Sequence, residues 1–430
     1  MNNNHKKPKF LFVTHEALCV DLAWQVKKEG YDVKFFTQNK PDRDVGDGFI
    51  EKVDNWIDHQ KWADVIVFDD TGFGETADKL RKEGKLVVGG SAYTDKLEDD
   101  RDFGQEELKK AGINILPNWN FTNFDDAIKF IKENPGRYVL KPSGAAQNEK
   151  ELLFVGREED SKDVIQILEL YKKNWAKKIK SFQLQRHATG VEVAVGAFFD
   201  GKEFIMPVCV NFEHKKLFPG EIGPSTGEMG TSCYWSTASQ IFKSTLEKMQ
   251  PALAKSGYVG YIDINCIVNA RGIYPLEFTS RFGYPTISLQ MEGIQSPMGE
   301  FLNMIAKGEK YELKVKKGFQ ICVVIAVPPF PFLDPVAFKK YSEDATIIFQ
   351  KPNYDGVHIG DVKFVEDDYR LAGISGYALI ITGSGNTMEE ARKQTYQRVK
   401  NIIVPNMFYR TDIGERWVED SDKLQTWGYL

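Results

Sequence analysis

Short apolar runs alternate with amphipathic stretches through roughly the first ninety residues. KFLFVT, DVKFFTQ, DVIVFDD and KLVVGG are continuous apolar runs, the pattern of strands buried on both faces. Between them HEALCVDLAWQVKKEG, DNWIDHQKWA and ETADKLRKEG carry helical spacing, the first stopping at Gly30. The alternation predicts a small parallel sheet covered by helices, a first domain over residues 1–93.

Beyond it the periods mix. One highly charged helix is predicted from Asp95 to about Lys110, ending near Gly112, and FDDAIKFIKENPG predicts another, closed by Pro135 and Gly136. SKDVIQILELYKKNW, SQIFKSTLEKMQPALAKSG and GEFLNMIAKG read as helices in the same way. Strand signals dominate from SFQLQRH through VEVAVGAFFDGKEFIMPVCVNFEHKK, with a hairpin turn at Asp200-Gly201. GYIDINCIVNARGIYPLEFTS predicts a second hairpin around Asn269 to Gly272. These elements make a middle domain over 94–310. The remainder, 311–430, reads as mostly β with one clear helix, TMEEARKQTYQRVKNII, and the chain shows no internal repeat.

Length then fits two to four domains in 430 residues. Hydrophobic residues at 42% and charged residues at 27% are ordinary for a globular chain, and a net charge of −5 with interspersed signs argues against a nucleic-acid partner. Cys19, Cys209, Cys233, Cys266 and Cys322 are scattered without a Cys-x-x-Cys pair, which reads as reduced thiols. MNNNHKKPKFLFV is too short in apolar residues for a signal peptide and reads as a disordered lead into the first strand. ICVVIAVPPFPFL is too short and proline-rich to span a bilayer, so a cytoplasmic protein without a membrane partner is expected.

The candidate chemistry begins in the second hairpin. Asp263 and Glu277 lie on its two strands, where an antiparallel pair can bring them to one face. Two such carboxylates repel unless a cation or a proton sits between them, and oxygen ligands of this kind suit Mg²⁺. Alternatively, both acids are solvated strand residues. Lys141 ends the strand RYVL and opens the small-residue loop PSGAAQ, a place to meet phosphates or simply a solvated lysine beside a turn. IGPSTGEMGT, with three glycines, allows backbone N–H groups to approach an anion, or is an ordinary surface loop. Glu213, His214, Lys215 and Lys216 precede it and read best as a charged strand end. The six histidines show no metal-ligand spacing, and no Gly-x-Ser-x-Gly elbow or Walker loop occurs, which argues against a serine or zinc hydrolase.

Taken in order, these elements resemble the ATP-grasp superfamily and, within it, glycinamide ribonucleotide synthetases (phosphoribosylamine–glycine ligases). GPSTGEMG is similar to that family's Gly-Pro-Asn-Thr-Gly-Gly-Met-Gly loop, PLEFTSRFGYPT to Leu-Glu-Phe-Asn-x-Arg-Phe-Gly-Asp-Pro-Glu, and YRTDIGERW to an Arg-Arg-Asp-Ile-Gly ending. The resemblance runs nearly end to end. It implies α/β and α+β multidomain architecture: a Rossmann-like N-terminal domain, an ATP-grasp domain and a mainly β C-terminal domain. The implied activity is an ADP-forming ligation of an amino-acid carboxylate to an amine through an acyl phosphate, in purine biosynthesis, with ATP and Mg²⁺ (or Mn²⁺). The implied partners are small-molecule substrates.

By the same resemblance Lys141 and Arg101 contact ATP phosphates, Arg101 standing where the family has a lysine. Gln185, Arg186, His187 and Ala188 run along the adenine, and Glu192 meets the ribose. Asp263, Glu277 and Thr279 take metal positions, with Thr279 where the family has asparagine. Gly223, Pro224, Ser225, Thr226 and Gly227 form the amino-acid loop, and Arg281 steadies the carboxylate or acyl phosphate. Lys141 and Arg281 are thus the implied catalytic pair, and PSGAAQNEKE the loop that closes over the nucleotide.

The departures cluster in the acceptor half. The family's Gly-x-Gly-Gly-Arg-Glu-His phosphate loop reads THEALCV here, Thr14 to Val20, without a glycine. Its Gly-Pro-Glu-x-Pro-Leu turn reads FDDTGF, whose Asp69 and Asp70 would repel a phosphate. Glu228 replaces a glycine of the GPSTGEMG loop, and VPPFPFLDPVAF a glycine-rich stretch. Three readings therefore stay open: the synthetase itself, a diverged ligase with another amine acceptor, and a nucleotide-binding regulatory protein without turnover. A dehydrogenase lacks its dinucleotide fingerprint. Oligomeric state is left open.

Overall fold

The structure, a computed structural model, describes residues 7–144, 146 and 152–430. The lead before Lys7 and most of the loop expected to close over a nucleotide lie outside the described residues. Five parallel strands open the chain: β1 (Phe10–Thr14), β2 (Val33–Thr37), β3 (Glu51–Lys52), β4 (Val65–Phe68) and β5 (Leu86–Val88), in the order β3-β2-β1-β4-β5. β1 and β4 are buried along their whole length, as their apolar runs require. Two helices start or form later than the pattern suggests. HEALC is loop before the helix Val20–Lys28, and DNWIDHQKWA yields only the 3₁₀ turn Trp56–His59. Asn55 fixes that turn by accepting from Ile57 N–H.

The helix predicted from Asp95 to Lys110 is two helices, Ala92–Asp99 and Arg101–Lys110. Asp100 breaks it: its backbone is extended and its carboxylate accepts from Phe103 N–H, making it the N-cap of the second. That break places Arg101 on a first helical turn. The stretch SQIFKSTLEKMQPALAKSG is likewise divided, into Gln240–Ser244, a 3₁₀ turn Leu246–Met249 and Gln250–Ser256, with Thr245 out of the helical region between the first two.

Two antiparallel sheets follow. The smaller joins β6 (Asn118–Phe121), β7 (Tyr138–Pro142), β8 (Phe154–Val155) and β9 (Phe182–Arg186) in the order β6-β9-β7-β8. Its inner side packs Tyr138, Leu140, Phe182 and Leu184 against the helices Phe124–Glu133 and Lys162–Asn174. The larger contains β10 (Val191–Phe199), β11 (Phe204–Glu213), β14 (Gly230–Ser236), β15 (Gly260–Asn269) and β16 (Gly272–Thr279). A short hairpin, β12 (Lys216–Phe218) and β13 (Ile222–Ser225), projects between β11 and β14. One side of the large sheet buries Val193, Val195, Val210, Ile262 and Ile264, and alternation sends the polar residues to the other.

That sheet does not stop at residue 310. β17 (Phe319–Ala326) pairs with β14, and β22 (Tyr377–Gly385) and β19 (Val357–Ile359) extend it to eight strands, β16-β15-β10-β11-β14-β17-β22-β19. A four-stranded sheet of β18 (Thr346–Phe349), β20 (Val362–Val365), β21 (Asp368–Leu371) and β23 (Ile402–Ile403) completes the C-terminal region. Besides the expected helix Met388–Val399, that region forms Pro335–Tyr341, capped by Asp334, and Trp417–Thr426. No helix among the described residues is long and apolar enough to cross a membrane.

Candidate active site

The register of the β15–β16 hairpin pairs Asp263 with Thr279 and Asn265 with Glu277. Opposite residues share a face, and so do residues two apart, so all four side chains leave the same side of the sheet. Glu192 on β10 and Glu213 on β11 join them. Asn265 donates through Nδ2 to Glu213 Oε2 at 3.0 Å and to Glu192 Oε1 at 3.3 Å. The polar face thus gathers carboxylates from four adjacent strands.

A lysine closes the gathering. Lys215 Nζ lies 3.2 Å from Glu192, 3.2 Å from Glu213 and 3.3 Å from Glu277. Burial opposes its charge, but Glu213, Glu192 and Glu277 together hold the ammonium protonated well above its ordinary range. Lys215 and Glu213 were read from sequence as a charged strand end. The Asn211-x-Glu213-x-Lys215 alternation, which puts three polar side chains on one face, is the signal that could have singled them out.

The small sheet supplies the opposite wall. Cα pairing sets Lys141 against Gln183 and Val139 against Gln185, so Lys141, Gln183 and Gln185 share the side away from the Tyr138 and Leu140 core. Lys141 is buried, and its pKa is pushed down to about 7 by burial first and then by the Arg101 guanidinium, against the pull of Glu277 and Glu192. Arg101 Nη1 donates to Pro142 O at 2.7 Å, which fixes the strand end that carries Lys141. Three basic side chains, Arg101, Lys141 and Lys215, therefore meet Glu192 and Glu277 in one cleft between two sheets.

The remaining nucleotide candidates divide. Gln185 is buried with Nε2 unpartnered, and His187 is half-buried with its Nε2 3.3 Å from Arg137 Nη2, burial and Arg137 lowering its pKa. The Arg186 side chain turns to the other side, over the Tyr138 ring at 4.4 Å, so only its backbone remains on this wall. Ala188 follows on the short connection to β10 and is half-buried.

The GPSTGEMG loop is held against Lys215. Thr226 donates to Lys215 O from both N–H (2.8 Å) and Oγ1 (2.9 Å), and Lys216 Nζ donates to Ser225 Oγ at 2.9 Å. Gly223 and Gly227 are exposed, Pro224 is half-buried, and Gly223 has φ +84, a conformation that favours glycine. The YRTDIGERW motif is the buttress behind this loop. Arg410, fully buried, donates to Lys216 O at 2.9 Å, Glu221 at 2.7 Å and Asp412 at 2.7 Å, while Asp412 accepts from Gly220 N–H at 3.0 Å. His214, Glu221 and Asp412 converge within metal-ligand spacing, but around the Arg410 guanidinium, which already neutralises the two acids.

Arg281 sits at the far end of the polar face. Its Nε is 3.1 Å from Glu98 and 3.0 Å from Asp70, so it links β16 to the helix Ala92–Asp99 and to the segment after β4. Glu98 was not singled out from sequence, although it stands on the Glu of the Leu-Glu-x-Ser-Lys-x-Phe pattern that LEDDRDF resembles. Thr279, half-buried, lies opposite Asp263, whose Oδ1 is buried without a hydrogen bond, as is Asn265 Oδ1. Buried, unpartnered anionic and amide oxygens are costly unless a cation or donor meets them. The oxygen donors Asp263, Asn265 and Glu277 therefore fit a hard divalent cation.

The comparisons with known proteins agree with this arrangement. Residues 99–287 match the phosphoribosylglycinamide synthetase ATP-grasp (A) domain, and 320–416 the C domain of the same enzyme. The phosphoribosylamine–glycine ligases of Clostridium acetobutylicum and Streptococcus pneumoniae are 24% and 26% identical over 78% and 84% of this chain and 80% and 87% of their own. The solved phosphoribosylamine–glycine ligase of Thermotoga maritima shares the fold at TM-score 0.72 and 20% identity, over 94% of this chain and all of that one. A biotin carboxylase domain from Hydrogenobacter thermophilus shares it at TM-score 0.66 and 13% identity, over 99% of this chain and 100% of its own. Two antiparallel sheets facing across a charged cleft, behind an N-terminal parallel sheet, define an ATP-grasp carboxylate–amine ligase. Within that class the chain belongs to the phosphoribosylglycinamide synthetase (phosphoribosylamine–glycine ligase) family.

Proposed function

We propose that the chain couples ATP hydrolysis to amide formation between a small amino acid and an amine, with the chemistry in the cleft between the two antiparallel sheets. The observation that carries this reading is the meeting of Arg101, Lys141 and Lys215 with Glu192 and Glu277 in that cleft. Arg101 and Lys141 neutralise the ATP phosphates, Gln185 to Ala188 line the base, and Glu192 accepts from the ribose. Asp263 and Glu277 hold Mg²⁺ or Mn²⁺, with Thr279 and Asn265 beside them, and the bound ion supplies charge neutralisation for phosphoryl transfer. The amino acid lies between Gly223–Gly227 and Arg281, with Thr226 tying that loop to Lys215. Arg281 orients the carboxylate for phosphorylation, and the resulting acyl phosphate is kept from water until the amine displaces phosphate.

The relatives' names supply the first substrates to try, glycine and phosphoribosylamine, and with them a place in purine biosynthesis. A second reading, a different amine acceptor, is favoured by Asp69 and Asp70 at the end of β4 and by the glycine-free Thr14–Val20 turn. Five unpaired, buried cysteines fit a reducing, cytoplasmic setting. An amino-acid panel assayed for ADP release, with and without phosphoribosylamine, tests the function. Amino-acid-dependent ADP formation supports it, and ATP binding without turnover under any pairing overturns it.

A further inference from the structure

The strand order of the N-terminal parallel sheet changes sense between β1 and β4, and ligands of open parallel sheets bind outside the carboxyl ends of the strands at such a point. Here the chain leaves β1 into His15 and Glu16, and leaves β4 into Asp69 and Asp70. Asp69 is fully buried. Its Oδ2 faces Cys19 N–H at 3.2 Å and the Tyr284 hydroxyl at 3.3 Å, while Oδ1 makes no hydrogen bond among the described residues. Asp70 lies 3.0 Å from Arg281, which also holds Glu98. Exposed Glu16 stands at the mouth, within the field of Asp70, His15 and Arg281. Two carboxylates, Asp70 and Glu98, therefore hold the Arg281 guanidinium, with Glu16 in its field and Asp69 beside Asp70.

The wall beyond Arg281 has the same character. Asp263 Oδ1 and Glu228 Oε1 are buried without hydrogen bonds, and Asn211 and Gln290, also buried, each have both amide atoms unpartnered. Burial pushes the Asp263 and Glu228 carboxyls well up, so the negative charge a ligand would meet comes from Asp69, Asp70 and Glu98. A ligand with a positive end would meet the buried Asp69 carboxyl, which Thr14 and Cys19 also face and whose Oδ1 has no well-aligned hydrogen bond.

We propose that the acceptor of this ligase is a cationic amine, one that carries a second, protonated nitrogen and no phosphate, with that nitrogen seated against Asp69 and Asp70. The inference rests on the ligase reading above. In the step it serves, the neutral nitrogen attacks the acyl phosphate carbon, forming the C–N bond. The C–O bond to phosphate breaks with its electron pair, and the proton released from nitrogen leaves with the phosphate. The charged nitrogen takes no part in bond making and only holds the acceptor in register.

The test incubates the full chain with MgATP and glycine, alanine or serine. The acceptors are diaminopropane, diaminobutane, butylamine, phosphoribosylamine and hydroxylamine, with ADP and product mass as readouts. Hydroxylamine traps an acyl phosphate whatever the natural acceptor is, so it reads the ligase reaction alone. The inference expects amide products with the diamines, kcat/KM at least tenfold lower with butylamine, and for Asp69→Asn a rise in diamine KM at least tenfold larger than any rise in hydroxylamine KM. Turnover with phosphoribosylamine or hydroxylamine but with neither diamine overturns the inference and leaves the ligase reading standing. No ADP or hydroxamate with any acceptor overturns both.

Discussion

Lys215 Nζ and Glu277 Oε1 are 3.3 Å apart, joined across the face of the large sheet by residues from β16 and the turn after β11. The same ammonium touches Glu192 and Glu213, so a single lysine neutralises three carboxylates. Removing it leaves those acids facing one another. Lys215→Met is expected to lower stability by about 1–3 kcal/mol, the range for stranding partly buried charge. Mg²⁺ is expected to raise the Tm of the variant more than that of the parent, because the ion takes up the oxygens the lysine leaves. Thermal unfolding with and without Mg²⁺ checks this, and an equal Mg²⁺ response in both proteins would count against it.

Lys141, with a pKa of about 7, is largely neutral in the free protein at pH 8. Nucleotide phosphates favour its charged form, so ATP binding at pH 8 is expected to take up close to one proton. Calorimetry in buffers of different ionisation enthalpy measures that uptake, and Lys141→Arg is expected to abolish it. The sign for stability runs the other way from an ion pair. Between about pH 7 and pH 10.4 the unfolded lysine binds more protons than the folded one, so Lys141 makes stability rise with pH through that window.

Arg410 anchors Glu221, Asp412 and the carbonyl of Lys216 at once. Arg410→Met is expected to cost about 2–3 kcal/mol in urea unfolding, somewhat below the range for a fully buried pair because Glu221 is partly exposed. Hydrogen bonds from His214 and Arg410 overcome burial and hold Glu221 at about 2, and Arg410 with Gly220 N–H does the same for Asp412. Their folded values lie below the unfolded ones, so this stabilisation is complete above about pH 4.5 and is lost as pH falls toward 2. The acid limb of the stability curve is expected to flatten in the variant.

The parts of the site written within one hairpin were legible in the sequence. Asp263, Thr279 and Glu277 share a face because a two-residue period and the NARG turn dictate it. Lys215 was not legible as a site residue, since its partners come from β10, β11 and β16 and only the assembled sheet brings them together. The break at Asp100 was hidden because aspartate suits both a charged helix and an N-cap. The large sheet's continuation into β17 and β22 could not be read from strand patterns, which give strands but not their neighbours. Arg186 shows the same limit: it lies in the expected segment, but strand alternation turns its side chain to Tyr138.

The central claim is that the carboxylates of the large sheet, facing Lys141 and Arg101, carry ATP-dependent activation of an amino acid. The most direct test is amino-acid-dependent ADP release by Glu277→Gln, a substitution that keeps the side chain's size and removes its charge. A loss of at least a hundredfold, with Tm unchanged within a few degrees, is the predicted result. ADP release at the parent rate would contradict the account.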